Sequence, residues 1–148
     1  LYAEPDNLFV AGFIGSPQMN FVDAVCKING KEVTLTFDKF SVVLPEAKAQ
    51  KLIDGNYDGK TVVLGIRPEN ISDDKEDVAN CACKVTTEVT GYELLGAEVL
   101  LYFNVGGAKM TASVSSTTPA RYGDTVELAF DPNAMHVFDK ETELTITN

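Results

Sequence analysis

Histidine occurs once in this chain, at position 136, and cysteine three times, at positions 26, 81 and 83. So few imidazoles and thiols leave little material for a nucleophile assisted by histidine. A hydrolase needs a serine nucleophile on a recognisable elbow with a base beside it, and that signature is missing. Cys81, Cys83 and the distant His136 fall short of the four ligands of a zinc site. An odd cysteine count without repeating spacing makes a poor disulfide framework and suits a reducing compartment. Long apolar runs are also missing, since none approaches the roughly 20 residues of a membrane-spanning helix. Residues 1–20 lack the basic, apolar and small-residue succession of a signal peptide, so none is expected. Basic charge is scarce too: 12 Lys and Arg against 22 Asp and Glu leave a net charge of −10. That balance repels phosphate backbones and anionic membranes, so no nucleic-acid partner is expected.

What is present is an ordinary globular composition, with 45% hydrophobic and 23% charged residues over 148 positions. This length suits one domain or two very small ones. Residues 4–14 predict a helix: Pro5 fits its first turn, Glu4 and Asp6 complement its positive end, and Gly15 and Pro17 stop it. Its apolar residues, Leu8, Phe9, Phe13 and Ile14, need a surface to pack on. The period then changes to two. Val22, Ala24, Cys26 and Ile28 alternate with Asp23, Val25 and Lys27, Asn29-Gly30 predicts a tight turn, and Val33, Leu35 and Phe37 continue the alternation. Ser41 to Leu44 adds a short strand, and Pro45 opens a helix to about residue 53. Thr61 to Ile66 is an apolar run typical of a strand buried on both faces.

Residues 72–77 predict an acidic loop and a possible seam between two lobes. Beyond it, Cys81, Cys83, Val85, Thr87 and Val89 share a face, and Gly91 to Gly96 predicts a turn. Ala97, Val99, Leu101, Phe103 and Val105 lead through Gly106-Gly107 to Ala108, Met110, Ala112 and Val114. Val126, Leu128 and Phe130, then Val137, Leu144 and Ile146, complete the pattern. Many short strands with glycine turns predict an all-β protein of two OB-like barrel lobes with two or three short helices.

Two partial motifs fail on context. Gly55 to Thr61 resembles a phosphate-binding loop but has three residues between its glycines instead of four, and its helix precedes the strand. Asp54, Asn56, Asp58 and Gly59 match the first half of a calcium loop, yet the position for the bidentate glutamate is Gly65 and Lys60 adds positive charge. The acidic residues Asp73, Asp74, Glu76 and Asp77 form a contiguous run whose carboxylates are alike and solvated, unlike a catalytic pair. No catalytic, metal or cofactor residue is therefore expected.

Three islands carry a family resemblance. Phe9 to Pro17 with Met19 and Asn20 is the most specific; Gly65-Ile66-Arg67-Pro68-Glu69 is the second; Phe130, Pro132, His136, Phe138 and Asp139 form the third. Together they resemble the C-terminal regulatory (TOBE or OB-like) domain of ATP-binding subunits of maltose-type and multiple-sugar ABC importers. A first residue that is not Met also suits a fragment. The resemblance implies a linker over 1–20 leaving an absent ATPase core, and an OB-like regulatory domain over 21–148. It implies that ATP and Mg bind in that core, with no cofactor in this chain. It implies a cytoplasmic homodimer docked on transmembrane permease subunits and, in some members, contacts with regulatory proteins. Phe13, Ile14, Gly15, Pro17, Met19, Asn20 and Gly65 are then structural signature residues, with Phe13, Ile14 and Pro17 packing the entry helix on the lobes. Candidate partner contacts are Arg67, Pro68, Glu69 and Asn70, with Gly91, Leu95 and Gly96, because binding residues concentrate on loops of a rigid scaffold. A free-standing OB-type small-ligand module and an extracellular carbohydrate- or calcium-binding β domain are the alternatives.

Overall fold

The computed structural model describes residue 7 and residues 18–148. The helix expected over 4–14, with Phe13, Ile14, Gly15 and Pro17, lies outside the described residues, except for Asn7, which makes an antiparallel bridge with Leu144.

Among the described residues, twelve strands dominate the fold. Strand β1 (Asn20–Asn29) pairs antiparallel with β2 (Glu32–Phe37), which pairs with β3 (Phe40–Val43). The alternation works as its period requires: Val22, Ala24, Cys26, Val33, Leu35 and Phe37 are buried while Asp23, Val25 and Lys27 are exposed. The turn differs by one residue from the expectation. Asn29 pairs with Glu32, so Gly30 and Lys31 make the turn, and of these only Gly30 has positive φ. Glycine in the first of two turn positions is the pattern of a II′ hairpin, whereas Asn-Gly would serve a I′ turn.

Helix α1 (Glu46–Asp54) follows Pro45 and buries Ala49 and Leu52. Strand β4 (Thr61–Ile66) lies between β1 and β11 (His136–Asp139), and Val62 to Ile66 are all buried. A central strand covered on both faces accounts for the continuous apolar run. Strand β12 (Thr145–Thr147) completes a six-stranded sheet of order β12-β11-β4-β1-β2-β3.

The middle of the chain forms two three-stranded sheets. One has the order β5-β10-β6, from β5 (Ile71–Ser72), β6 (Lys84–Glu88) and β10 (Thr125–Phe130). The other has the order β7-β8-β9, from β7 (Gly91–Leu95), β8 (Glu98–Val105) and β9 (Ala108–Ser115). The turn expected over Gly91 to Gly96 is thus mostly strand, with the reversal confined to Gly96 and Ala97. The acidic loop expected over 72–77 instead runs into helix α2 (Lys75–Asn80). Asp74 caps that helix, its Oδ1 accepting from Glu76 N–H at 2.9 Å, which satisfies a backbone donor at the helix start.

One hydrophobic cluster runs through all three sheets, from Val22 to Val137. Phe130 of β10 is its junction. Its ring lies 6.1 Å from Phe37 of the six-stranded sheet and 6.5 Å from Phe103 of β8. Such aromatic pairs add about 0.5–1.5 kcal/mol beyond the area they bury. A smaller cluster of Met19, Val63 and Phe138 packs with Phe21. Because β11 and β12 return to the first sheet, no single cut in the sequence separates the sheets.

Candidate contact surface

Gly65, the penultimate residue of the central strand, is glycine for a steric reason. A Cβ there would stand 2.8 Å from Met19 Sδ and 3.0 Å from Phe138 Cε2. The glycine therefore marks close packing of three elements. The following residues fold back at once: Pro68 starts a 3₁₀ turn over Pro68–Asn70, with Asn70 N–H donating to the Arg67 carbonyl at 2.9 Å. Arg67 is 4% exposed and Pro68 is buried. This corrects the expectation of a surface loop: of the four candidates there, Glu69 is exposed, Asn70 is half-buried, and Arg67 and Pro68 belong to the interior.

On β7, Gly91 is half-buried beneath Tyr102, whose Cδ2 would lie 3.0 Å from an added Cβ. The Tyr102 hydroxyl donates to Glu93 Oε1 at 2.7 Å, and that bond, ahead of burial, holds its phenol above the usual range. Beyond this contact the strand opens to solvent. Leu95 is 44% exposed and Leu94 58%, next to Gly96 at φ +63°. Among the described residues β7 is an edge strand, so this end of the sheet offers an open backbone edge and two adjacent leucines. The 3₁₀ turn packs beside β9, and β7 lies two strands further on. The two candidate segments therefore do not form one patch. Sequence reasoning misses Leu94 because residues 91–96 read as a turn; the residue pairs with the buried Val99 yet is itself exposed.

Other motifs are absorbed by the fold. Asp58 Oδ1 accepts from Ile28 N–H at 2.7 Å, and Asp54 Oδ1 accepts from the Gln50 amide at 2.8 Å. These carboxylates of the partial calcium loop already have protein donors. Tyr57 donates to Asp139 Oδ2 at 2.6 Å. Thr142 and Glu141 N–H also bond Asp139, at 2.8 and 2.9 Å. The backbone bond from Thr142, then the Tyr57 hydroxyl, lower the Asp139 carboxyl to about 2. Burial, followed by that same hydrogen bond, raises Tyr57 to about 12. Burial also raises the Cys83 thiol to about 12, with Cys81 adding to the effect, and the Cys26 thiol to about 11, with Asp58 adding. Neither thiol supplies a thiolate nucleophile near neutral pH.

Among the described residues the cavities bring together no converging catalytic set. An open one of about 640 Å³ is lined by Glu69, Asp73, Asp74, Glu76 and Asp77 opposite Ser113 and Thr117. Another, of about 620 Å³, lies between α2 and β10. Among the described residues no group of three or more His, Cys, Asp and Glu could hold a metal ion.

Two family models match the chain: the MalK OB fold domain over residues 15–71 and the TOBE domain over residues 64–138. The oligosaccharides import ATP-binding protein MsmX of Bacillus subtilis is 37% identical, over 99% of this chain and 39% of its own length. The multiple sugar-binding transport ATP-binding protein MsmK of Streptococcus mutans is 38% identical, over 99% and 38%. The uncharacterized ABC transporter ATP-binding protein YcjV of Escherichia coli O6:H1 is 38% identical, over the same shares. The chain thus spans well under half the length of these relatives. Among solved structures, the cytoplasmic molybdate-binding protein ModG is similar, with a TM-score of 0.58 over 84% of this chain and 96% of that one. At 14% identity this likeness concerns the fold.

Proposed function

Because this chain belongs to the TOBE-domain family, joined to a MalK-type OB fold, we propose that it is the non-catalytic regulatory domain of the ATP-binding subunit of a carbohydrate ABC importer. The observation that carries the reading is the alignment with MsmX and MsmK, which takes in 99% of this chain and under two fifths of each relative. A nucleotide-binding core then accounts for the remainder, and ATP and Mg bind there. The importer's cargo is an oligosaccharide or related sugar, as in the names of those relatives. The full subunit works as a cytoplasmic homodimer under transmembrane permease subunits, with regulatory proteins as further partners. Within this domain the contacts fall to Glu69, Asn70, Leu95 and Gly96, while Arg67, Pro68 and Gly91 hold those segments in shape.

The reading frame that encodes residue 1 tests the proposal. A phosphate-binding loop in strand-to-helix context is expected upstream in the same frame. A stop codon directly upstream, with no nucleotide-binding core, would contradict it and favour a free-standing OB-type module.

A further inference from the structure

Asn20, the first residue of β1, is only 5% exposed. Its carboxamide makes two bonds to a single residue of another sheet. Nδ2 donates to the Thr111 carbonyl at 2.8 Å, and Oδ1 accepts from Thr111 N–H at 2.7 Å. Thr111 lies midway along β9, which among the described residues pairs with β8 on one side only. The amide of Asn20 therefore supplies the donor and the acceptor that a neighbouring strand would have supplied, on the edge β8 leaves open.

The surroundings make this a junction. Asn20 pairs with Ile66, one residue before Arg67, so it stands at the start of the Pro68–Asn70 turn that packs beside β9. Further along the same pair of sheets, Gly106 of the β8–β9 turn faces Asp38 of the β2–β3 turn, where an added Cβ would meet Asp38 Cβ at 3.0 Å. The Gly106 end is a steric contact at the surface. The Asn20 end is a buried, directional, two-bond contact, and directional bonds fix an orientation where packing alone leaves freedom.

We infer that Asn20 is a positioning latch that sets how the β7–β9 sheet is held against the six-stranded sheet. It thereby fixes where the exposed end of β7 stands. The latch stands on geometry alone; its bearing on β7 as a contact surface rests on the importer reading. Alanine at this position removes both bonds. Aspartate keeps an acceptor for Thr111 N–H but sets a carboxylate oxygen against the Thr111 carbonyl.

Amide hydrogen exchange by NMR on the 148-residue chain tests the latch without any transport readout, so its failure is distinct from failure of the importer reading. In Asn20→Ala, exchange at the Thr111 amide is expected to accelerate about tenfold or more beyond any change at Leu64 in the central strand, the loss of roughly one to two hydrogen bonds. In Asn20→Asp, Thr111 stays closer to the parent chain, because its N–H keeps an acceptor. A general loss of stability would move Thr111 and Leu64 together and would not separate the two variants. Should Asn20→Ala fail to fold, Asn20→Asp decides alone: slow Thr111 exchange with faster exchange elsewhere in β7–β9 supports the latch. In Asn20→Ala, parallel changes at Thr111 and Leu64, or none, overturn it; where Asn20→Asp decides alone, exchange unchanged throughout β7–β9, or Thr111 and Leu64 accelerated together, overturns it.

Discussion

Gly65 illustrates how a residue's role can be legible while its reason is not. The sequence marks it as part of a signature run, but a glycine in a strand has several explanations. Here the reason is space, set by Met19 and Phe138, which are 46 and 73 positions away in the chain. Gly65→Ala is expected to destabilise the fold by about 1–3 kcal/mol through overpacking, measured as a lower urea midpoint with an unchanged slope. Asp139 carries a second prediction. Its folded carboxyl, held at about 2, lies below the unfolded value of about 3.9. Its stabilising effect is therefore present above about pH 4 and is lost as pH falls towards 2. Asp139→Asn is expected to melt at a lower temperature than the parent at pH 7, with the two curves converging near pH 2. A constant difference across that range would assign the effect to something other than ionisation. Neither this clamp nor the Asn20–Thr111 pair could be read from the sequence, because the partners lie 82 and 91 residues apart.

At the scale of elements, period-two alternation located β1, β2 and β9 because each has one buried face, and a continuous apolar run located β4, which is buried on both. It failed where the local signal had two meanings. Glycines at 91 and 96 suggest a turn, yet only Gly96 turns the chain, and Gly91 makes room for the Tyr102 ring. Gly106 and Gly107, by contrast, both take positive φ between Val105 and Ala108, as a I′ hairpin requires. The acidic stretch reads as a loop because its charges obscure a short helix. Asp74 is the cap, and Val78 is the buried anchor. Asp74→Ala is expected to cost about 1 kcal/mol, seen as a lower urea midpoint, with faster amide exchange confined to residues 76–80. Equal loss across all strands would contradict a local capping role.

For the whole molecule, the all-β, OB-like class was legible from composition and alternation. The closing of the chain on itself was not, since β11 and β12 rejoin the first sheet only through long-range pairing. Exposure of the candidate contacts was legible in part: Glu69 and Leu95 are exposed, while Arg67 and Pro68 turn inward. Burial of a charged side chain within the fold is a tertiary outcome that its neighbours in sequence do not encode. Calorimetric titration of this chain with MgATP is expected to give no binding in the micromolar range or tighter, because its glycine loop precedes a strand instead of a helix. Oligosaccharide uptake by cells producing the full-length subunit tests the central claim most directly, with the parent protein compared with a Glu69→Arg, Leu95→Glu double variant. The account predicts altered uptake or altered regulation of uptake, while the purified variant hydrolyses MgATP at the parent rate. Uptake and regulation both unchanged in a correctly folded, assembled variant would contradict it.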